Sequence, residues 1–222
     1  LKEDCFELVY RNVVDINLKN MIHKTISFEL NYKEENLSYK DFIASVLELD
    51  RLNDVYLYII NKVLDINKNL NESISIQLPT LFIEDLNNYS ILKELFTKYK
   101  NEKNENIIFE IEEDSFNKNL KNTFMYVNLF KEFNFGFAIF NFIANSDDYI
   151  YLKELKPKYI KASKYFLLES KQSLSVLKIL TQSLDIKLIA TSVNEVSEIN
   201  ALAQMGINAI CGPIMQNLIK EN

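Results

Sequence analysis

The stretch Phe137-Ala138-Ile139-Phe140-Asn141-Phe142 is apolar on both faces except at Asn141. A strand with no wet face belongs in a parallel sheet covered by helices, because an antiparallel sheet usually leaves one face to solvent. The apolar run from Phe135 to Ala144 is also far short of the roughly 18 residues of a membrane span. Working outward, the same grammar repeats. Before this strand, residues 107–111 and 74–78 read as strands. They are separated by helical stripes at Leu86, Tyr89, Leu92, Phe96 and Tyr99, and at Phe116, Leu120, Phe124 and Val127. After it come a short helix over residues 148–155, a strand over 158–162, and a stripe at Leu174, Leu177, Thr181 and Leu184. A strand over 186–190 follows, then a stripe at Val196, Ile199, Leu202 and Met205 that Gly206 ends, a strand over 209–211, and a last helix from about Ile214.

The N-terminal quarter reads differently. Residues 6–16 are rich in β-formers, and residues 25–30 alternate Ile26, Phe28 and Leu30 against Thr25, Ser27 and Glu29. The two segments are close enough to pair as a hairpin through residues 17–21, which makes the first strand antiparallel. Helices follow over 41–49 and 52–67, the second carrying a buried stripe at Val55, Ile59, Val63 and Ile66. Repeated strand–helix units imply a parallel sheet with helices outside it. Seven or eight strands in 222 residues favour a closed, TIM-like (β/α) barrel of the α/β class over an open sheet. In such barrels the functional groups stand at the C-terminal ends of the strands.

Composition narrows the functions. With 3 Gly and 3 Pro there is no linker or low-complexity tract, so residues 1–222 are expected to form one domain. The absence of Met at position 1 suggests a piece excised from a longer multidomain protein. Cys5 and Cys211 have no metal-like spacing and no secretory signal is visible, which points to a cytoplasmic protein with reduced thiols. His23 is the only histidine, so histidine-rich zinc sites and Ser-His-Asp triads are disfavoured; it reads as a surface residue in a turn. A net charge of −6 argues against a nucleic-acid partner, and Arg11 and Arg51 are the only arginines.

The strand ends read Glu110-Ile111-Glu112-Glu113, Phe140-Asn141-Phe142-Ile143, Lys161-Ala162-Ser163, Ala190-Thr191-Ser192-Val193-Asn194 and Cys211-Gly212, with Gln77 ending an earlier strand. In order and separation these resemble the signature strand ends of the EAL domain family, the phosphodiesterases that linearise cyclic di-GMP. The resemblance implies two divalent metals, magnesium or manganese, held by Asp, Glu and Asn oxygens and activating a water against the phosphodiester. Carried over residue by residue, Glu110 and Lys161 match the family. The Asn that the resemblance implies as a metal ligand falls on Gln77, the Asp pair on Phe140 and Asn141, and the Asp of the lysine motif on Ser163. The Glu implied as general base falls on Thr191, which cannot act as a base near neutral pH. The glycine of the Ala-Glu-Gly-Val-Glu motif falls on Ser192, and the Gln before the last glycine on Cys211. The Glu that names the family falls near Thr25 or Ile26, or on Glu29 in a shifted frame.

The expectation is therefore a degenerate EAL-type barrel with no catalytic residue beyond vestigial Glu110 and Lys161, no resident metal and no cofactor. It would act as a regulatory or protein-interaction module in bacterial cyclic-di-GMP signalling, with a protein or another domain of the same chain as partner. A non-hydrolysing cyclic-di-GMP receptor is the alternative, with Phe140, Asn141, Lys161 and Gln77 as ligand contacts; a weakly active phosphodiesterase is the remote one. The resemblance also implies a homodimer through the loop beside Asn145. Phe140 is expected to pack into the vacated pocket and narrow the mouth. Glu112, Glu113 and Asp114 read as a solvated strand edge and helix-start charge. Asp147 and Asp148 read as caps of the next helix.

Overall fold

The computed structural model describes residues 6–32, 35–37, 39–67, 72–100, 102, 104–144, 150–169 and 171–215. The chain opens with a hairpin of β1 (Phe6–Asp15) and β2 (Met21–Tyr32), to which the short β3 (Glu35–Leu37) is added. Helices α1 (Tyr39–Glu48) and α2 (Leu52–Asn67) follow. Then strands and helices alternate: β4 (Ile74–Leu78), α3 (Thr80–Glu84), α4 (Leu86–Lys98), β5 (Ile107–Glu112), α5 (Glu113–Lys118), α6 (Leu120–Glu132) and β6 (Gly136–Phe142). The series closes with α7 (Ile150–Leu155), β7 (Tyr159–Ser163), α8 (Lys164–Glu169), α9 (Lys171–Ser183), β8 (Lys187–Thr191), α10 (Val196–Gln204) and β9 (Ala209–Ile210).

The sheet order is β1-β9-β8-β7-β6-β5-β4-β2-β3, and β1 also pairs β2, so eight strands close into a barrel with β3 outside the ring. The pairs from β2–β4 round to β8–β9 are parallel, whereas β1 runs antiparallel to both β2 and β9. The hairpin thus places its first strand against the grain, as the short connection over residues 16–20 requires.

Burial explains the ring. One large apolar layer lies between strands and helices, built from Val55, Ile59 and Val63 of α2, Phe96 of α4, Phe109 of β5 and Phe130 of α6 among others. Phe109 stacks on Phe130 at 4.4 Å between ring centres. A second, much smaller apolar cluster of Val13, Ile108, Ala138, Tyr159, Ile189 and Ala209 joins six barrel strands around the axis. Strands in this ring therefore turn apolar side chains outward to the helices, leaving the inner face free to carry polar groups.

The helical stripe from Phe116 to Val127 divides into α5 and α6 at Asn119, whose side chain accepts from the Asn122 amide and caps α6. Short helices α3 and α8, each beginning within two residues of a strand end, carry too few turns for periodicity to mark them. Asn145, Asp147, Asp148 and the Glu29 side chain lie outside the described residues.

Candidate functional site: the mouth of the barrel

Inside the ring, alternation brings His23 and Thr25 of β2, Ser75 and Gln77 of β4, Glu110 of β5, and Tyr159 and Lys161 of β7 into one connected cluster. Glu110 is fully buried. Its Oε1 accepts from Lys161 Nζ at 2.5 Å and from the Tyr159 hydroxyl at 2.7 Å, while Oε2 accepts from Gln77 Nε2 at 3.0 Å. Lys161 crosses the lumen and also donates to Thr25 Oγ1 at 2.6 Å, and Ser75 donates to the same Thr25 oxygen at 3.0 Å. Each member of this buried network holds another in place.

His23 corrects the sequence reading. It is 1% exposed on β2, not in a turn; its ring stacks on Tyr159 at 4.7 Å, and its Nε2 lies 3.7 Å from Glu110 Oε1. Burial pushes the His23 imidazolium pKa down, with Glu110 opposing and the Lys161 cation adding to the shift, so the ring is neutral near pH 7. Burial raises the Glu110 carboxyl pKa, but the Lys161 cation and the His23 contact outweigh it and the net direction is down. Burial and the neighbouring Glu110 raise the Tyr159 phenol well above its usual range, so it remains a donor.

Nearer the mouth stand Phe140, Asn141, Ser163 and Thr191, the positions at which the resemblance led to an expectation of acids. Between Ile139 and Phe142 the β6–β7 register slips, and Asn141 takes a left-handed φ of 52°. This bulge lets two consecutive residues, Phe140 and Asn141, line the same cavity, which a regular strand would forbid. Asn141 Nδ2 donates to Glu112 Oε1 at 2.9 Å. Glu112 Oε2 accepts from the Thr80 hydroxyl at 3.0 Å. Glu113 is buried, not solvated, and its Oε2 accepts from the Ile143 amide at 2.8 Å, tying the loop after β6 to the end of β5. Ser163 Oγ accepts from the Tyr165 amide, and Thr191 Oγ1 donates to the Ala162 carbonyl at a long 3.4 Å.

Two divalent metals would need many hard oxygen donors. At this mouth the one buried carboxylate at the level of the network, Glu110, is already held by an ammonium, a phenol and an amide. Among the described residues no three His, Cys, Asp or Glu side chains form a metal-binding group. The donor set does not fit the family's metal pair.

Above the network opens a cavity of about 930 Å³, lined by β1, β2, β4, β6, β7 and β8 and by the turn after β9. Phe140 is only 9% exposed and lines this cavity without filling it. The cavity brings together all four candidate contacts, Gln77, Phe140, Asn141 and Lys161, together with Thr191, and adds Tyr10, Arg11 and Tyr56, which strand-end reading missed. Among the described residues no helix is long and apolar enough to cross a membrane.

Comparisons with known proteins agree with this geometry. The family described as EAL domain matches residues 1–217. Among solved structures, the chain is similar to Vibrio cholerae LapD S helix-GGDEF-EAL bound to c-di-GMP, at 19% identity and a TM-score of 0.85 over 96% of this chain and 53% of that one. The chain thus spans about half the length of that structure. It is also similar to the Xanthomonas citri FimX EAL domain in complex with c-di-GMP, at 14% identity and a TM-score of 0.81 over 95% of this chain and 87% of that one. The FimX EAL domain from Pseudomonas aeruginosa bound to c-di-GMP matches at 17% identity and a TM-score of 0.74, over 94% of this chain and 88% of that one. Sequence comparison with curated proteins finds no significant match.

Proposed function

The chain belongs to the EAL domain family, and from that premise we propose that it is a catalytically inactive member, working as a regulatory or interaction module in bacterial cyclic-di-GMP signalling. The observation that carries this reading is the state of Glu110, bound by Lys161, Tyr159 and Gln77 where a metal ligand would need open lone pairs. Phe140, Asn141, Ser163 and Thr191 supply no carboxylate beside it. Groups that act as one catalytic unit fail together, so restoring any single acid should recover little. The test is incubation of pure protein with cyclic di-GMP in magnesium or manganese, followed by chromatography for linear dinucleotide. No product is expected, and release at a rate typical of the family would overturn the proposal.

A second reading is a non-hydrolysing receptor, favoured by the cavity of about 930 Å³ that persists beside Phe140. That volume lies within the range of about 300–1,000 Å³ usual for small-molecule sites. LapD and FimX, the proteins compared above, were solved with c-di-GMP bound. In either reading the partner that receives the signal is a protein or another domain of the same chain.

A further inference from the structure

The antiparallel first strand leaves much of one edge open. β2 follows β1 from Val14 up to Phe6, whereas β9 meets it only at Val14–Ile210 and Asp15–Ala209. Among the described residues no strand pairs the β9 side of β1 from Phe6 to Val13. Backbone groups alternate sides along a strand. The Asp15 amide donates to the Asn20 carbonyl on the hairpin side, and the Ile16 amide donates to the Asn208 carbonyl on the other. Even-numbered residues of β1 therefore aim their amides and carbonyls at the open edge. Those of Leu8, Tyr10 and Asn12 find no strand partner there among the described residues.

The sequence along this edge, Phe6-Glu7-Leu8-Val9-Tyr10-Arg11-Asn12, is rich in β-formers and has no Pro, Gly or Lys to blunt it. Its two charges, Glu7 and Arg11, are opposite in sign, four residues apart and therefore on one face of the strand, and both are exposed. An edge guarded by charges of one sign repels its own copy; this edge complements it. With an antiparallel copy laid along it so that Val9 faces Val9, Glu7 stands opposite the partner's Arg11, and Arg11 opposite the partner's Glu7. Leu8 then meets the partner's Tyr10. The phase is also right. Leu8 and Tyr10 have their backbone groups on the open edge, and the charge pairs fall at non-hydrogen-bonded positions, where facing side chains stand closest. We infer that the open edge of β1 is a self-association surface, on which two copies of this chain pair β1 to β1 about a two-fold axis through Val9. Such a contact is isologous and covers both edges at once. It lies on a different segment from the loop beside Asn145, and it needs no ligand at the mouth.

Sedimentation velocity of the whole chain over a range of concentrations tests it. A reversible dimer is expected. Glu7→Arg alone and Arg11→Glu alone each set like charges face to face and should weaken it at least tenfold. The double variant Glu7→Arg with Arg11→Glu exchanges the two signs and should restore it. Arg51→Glu, the same change in net charge as Arg11→Glu but on a residue paired with Asp54, should leave it unchanged. Register is read by oxidation. Val9→Cys brings two thiols together at a non-hydrogen-bonded pair, with Cα atoms about 4.5 Å apart, inside the span of a disulfide. It should give a covalent dimer to an extent that neither the parent chain nor Tyr10→Cys reaches. A chain that stays monomeric at its highest soluble concentration would overturn the inference and leave the edge to another polypeptide. A dimer unmoved by either single charge reversal, or not restored by the double, would overturn it by placing the contact elsewhere. None of these outcomes bears on hydrolysis, so this inference and the inactive reading stand or fall separately.

Discussion

Lys161 and Glu110 are buried against each other, and their pairing dictates what substitution should do. Lys161→Met leaves a buried carboxylate without its cation and should cost about 3–5 kcal/mol in chemical denaturation. The double variant Glu110→Gln with Lys161→Met should recover most of that loss; no recovery would mean the pair is not what holds the network. Backbone strain offers a second test. Ser192 adopts φ 63°, in the left-handed region that favours glycine, so Ser192→Gly should stabilise by about 0.5–1 kcal/mol, the left-handed penalty less glycine's added entropy. Gly212 behaves oppositely. A Cβ there would stand 2.3 Å from the Val193 carbonyl oxygen, so Gly212→Ala should lose about 1–3 kcal/mol by overpacking. At this scale the sequence was legible where a residue type is demanding, as at Gly206, which caps α10 with φ 76°. It was illegible at His23. Alternation assigns the polar face of β2 to solvent, but a barrel has a second inside. There His23, Thr25 and Ser75 find partners on other strands that no local pattern reveals.

Among the elements, the end of β6 and the start of α5 act as one unit. The bulge at Phe140–Asn141 turns two neighbours toward the cavity, and the loop beyond it is held by Glu113 through the Ile143 amide. Glu113→Ala removes the charged acceptor of the Ile143 amide, a hydrogen bond worth about 1.5–3 kcal/mol. The expected result is faster amide exchange at Ile143, with exchange in β4 little changed; equal protection in both proteins would show that the loop is held otherwise. The sequence announced this unit only as adjacent substitutions of a paired motif. The slip of register that makes adjacency useful depends on β7, some twenty residues later, and cannot be read from β6 itself. Helix stripes were more legible, because the apolar layer outside the barrel imposes one period on α2, α4 and α6 alike.

For the whole molecule, one histidine makes pH a clean probe. The folded-state pKa of His23 is lowered by burial, so the unfolded chain binds a proton that the folded barrel refuses. Stability from this group is therefore full above its unfolded pKa of about 6.5 and is lost as pH falls below it, by up to about 1.4 kcal/mol per pH unit. Glu110, also lowered, adds a loss with the same sign at more acidic pH, below an unfolded value of about 4.3. Melting temperature should thus decline from pH 7.5 to pH 5.5, and His23→Phe should flatten that decline. A slope unchanged in the variant would place its origin elsewhere. The closure of the ring has a kinetic side as well. β1 meets β2 along a long hairpin, formed between near neighbours in the chain, but meets β9 only at Val14–Ile210 and Asp15–Ala209, with Ile16 donating to the Asn208 carbonyl beside them. Loop closure across nearly two hundred residues must precede those last bonds, so the hairpin should fold early and dock late. Under a pulling force applied at β1 and β9, this short seam should part first, letting the hairpin swing away as a unit and carrying Arg11 with it.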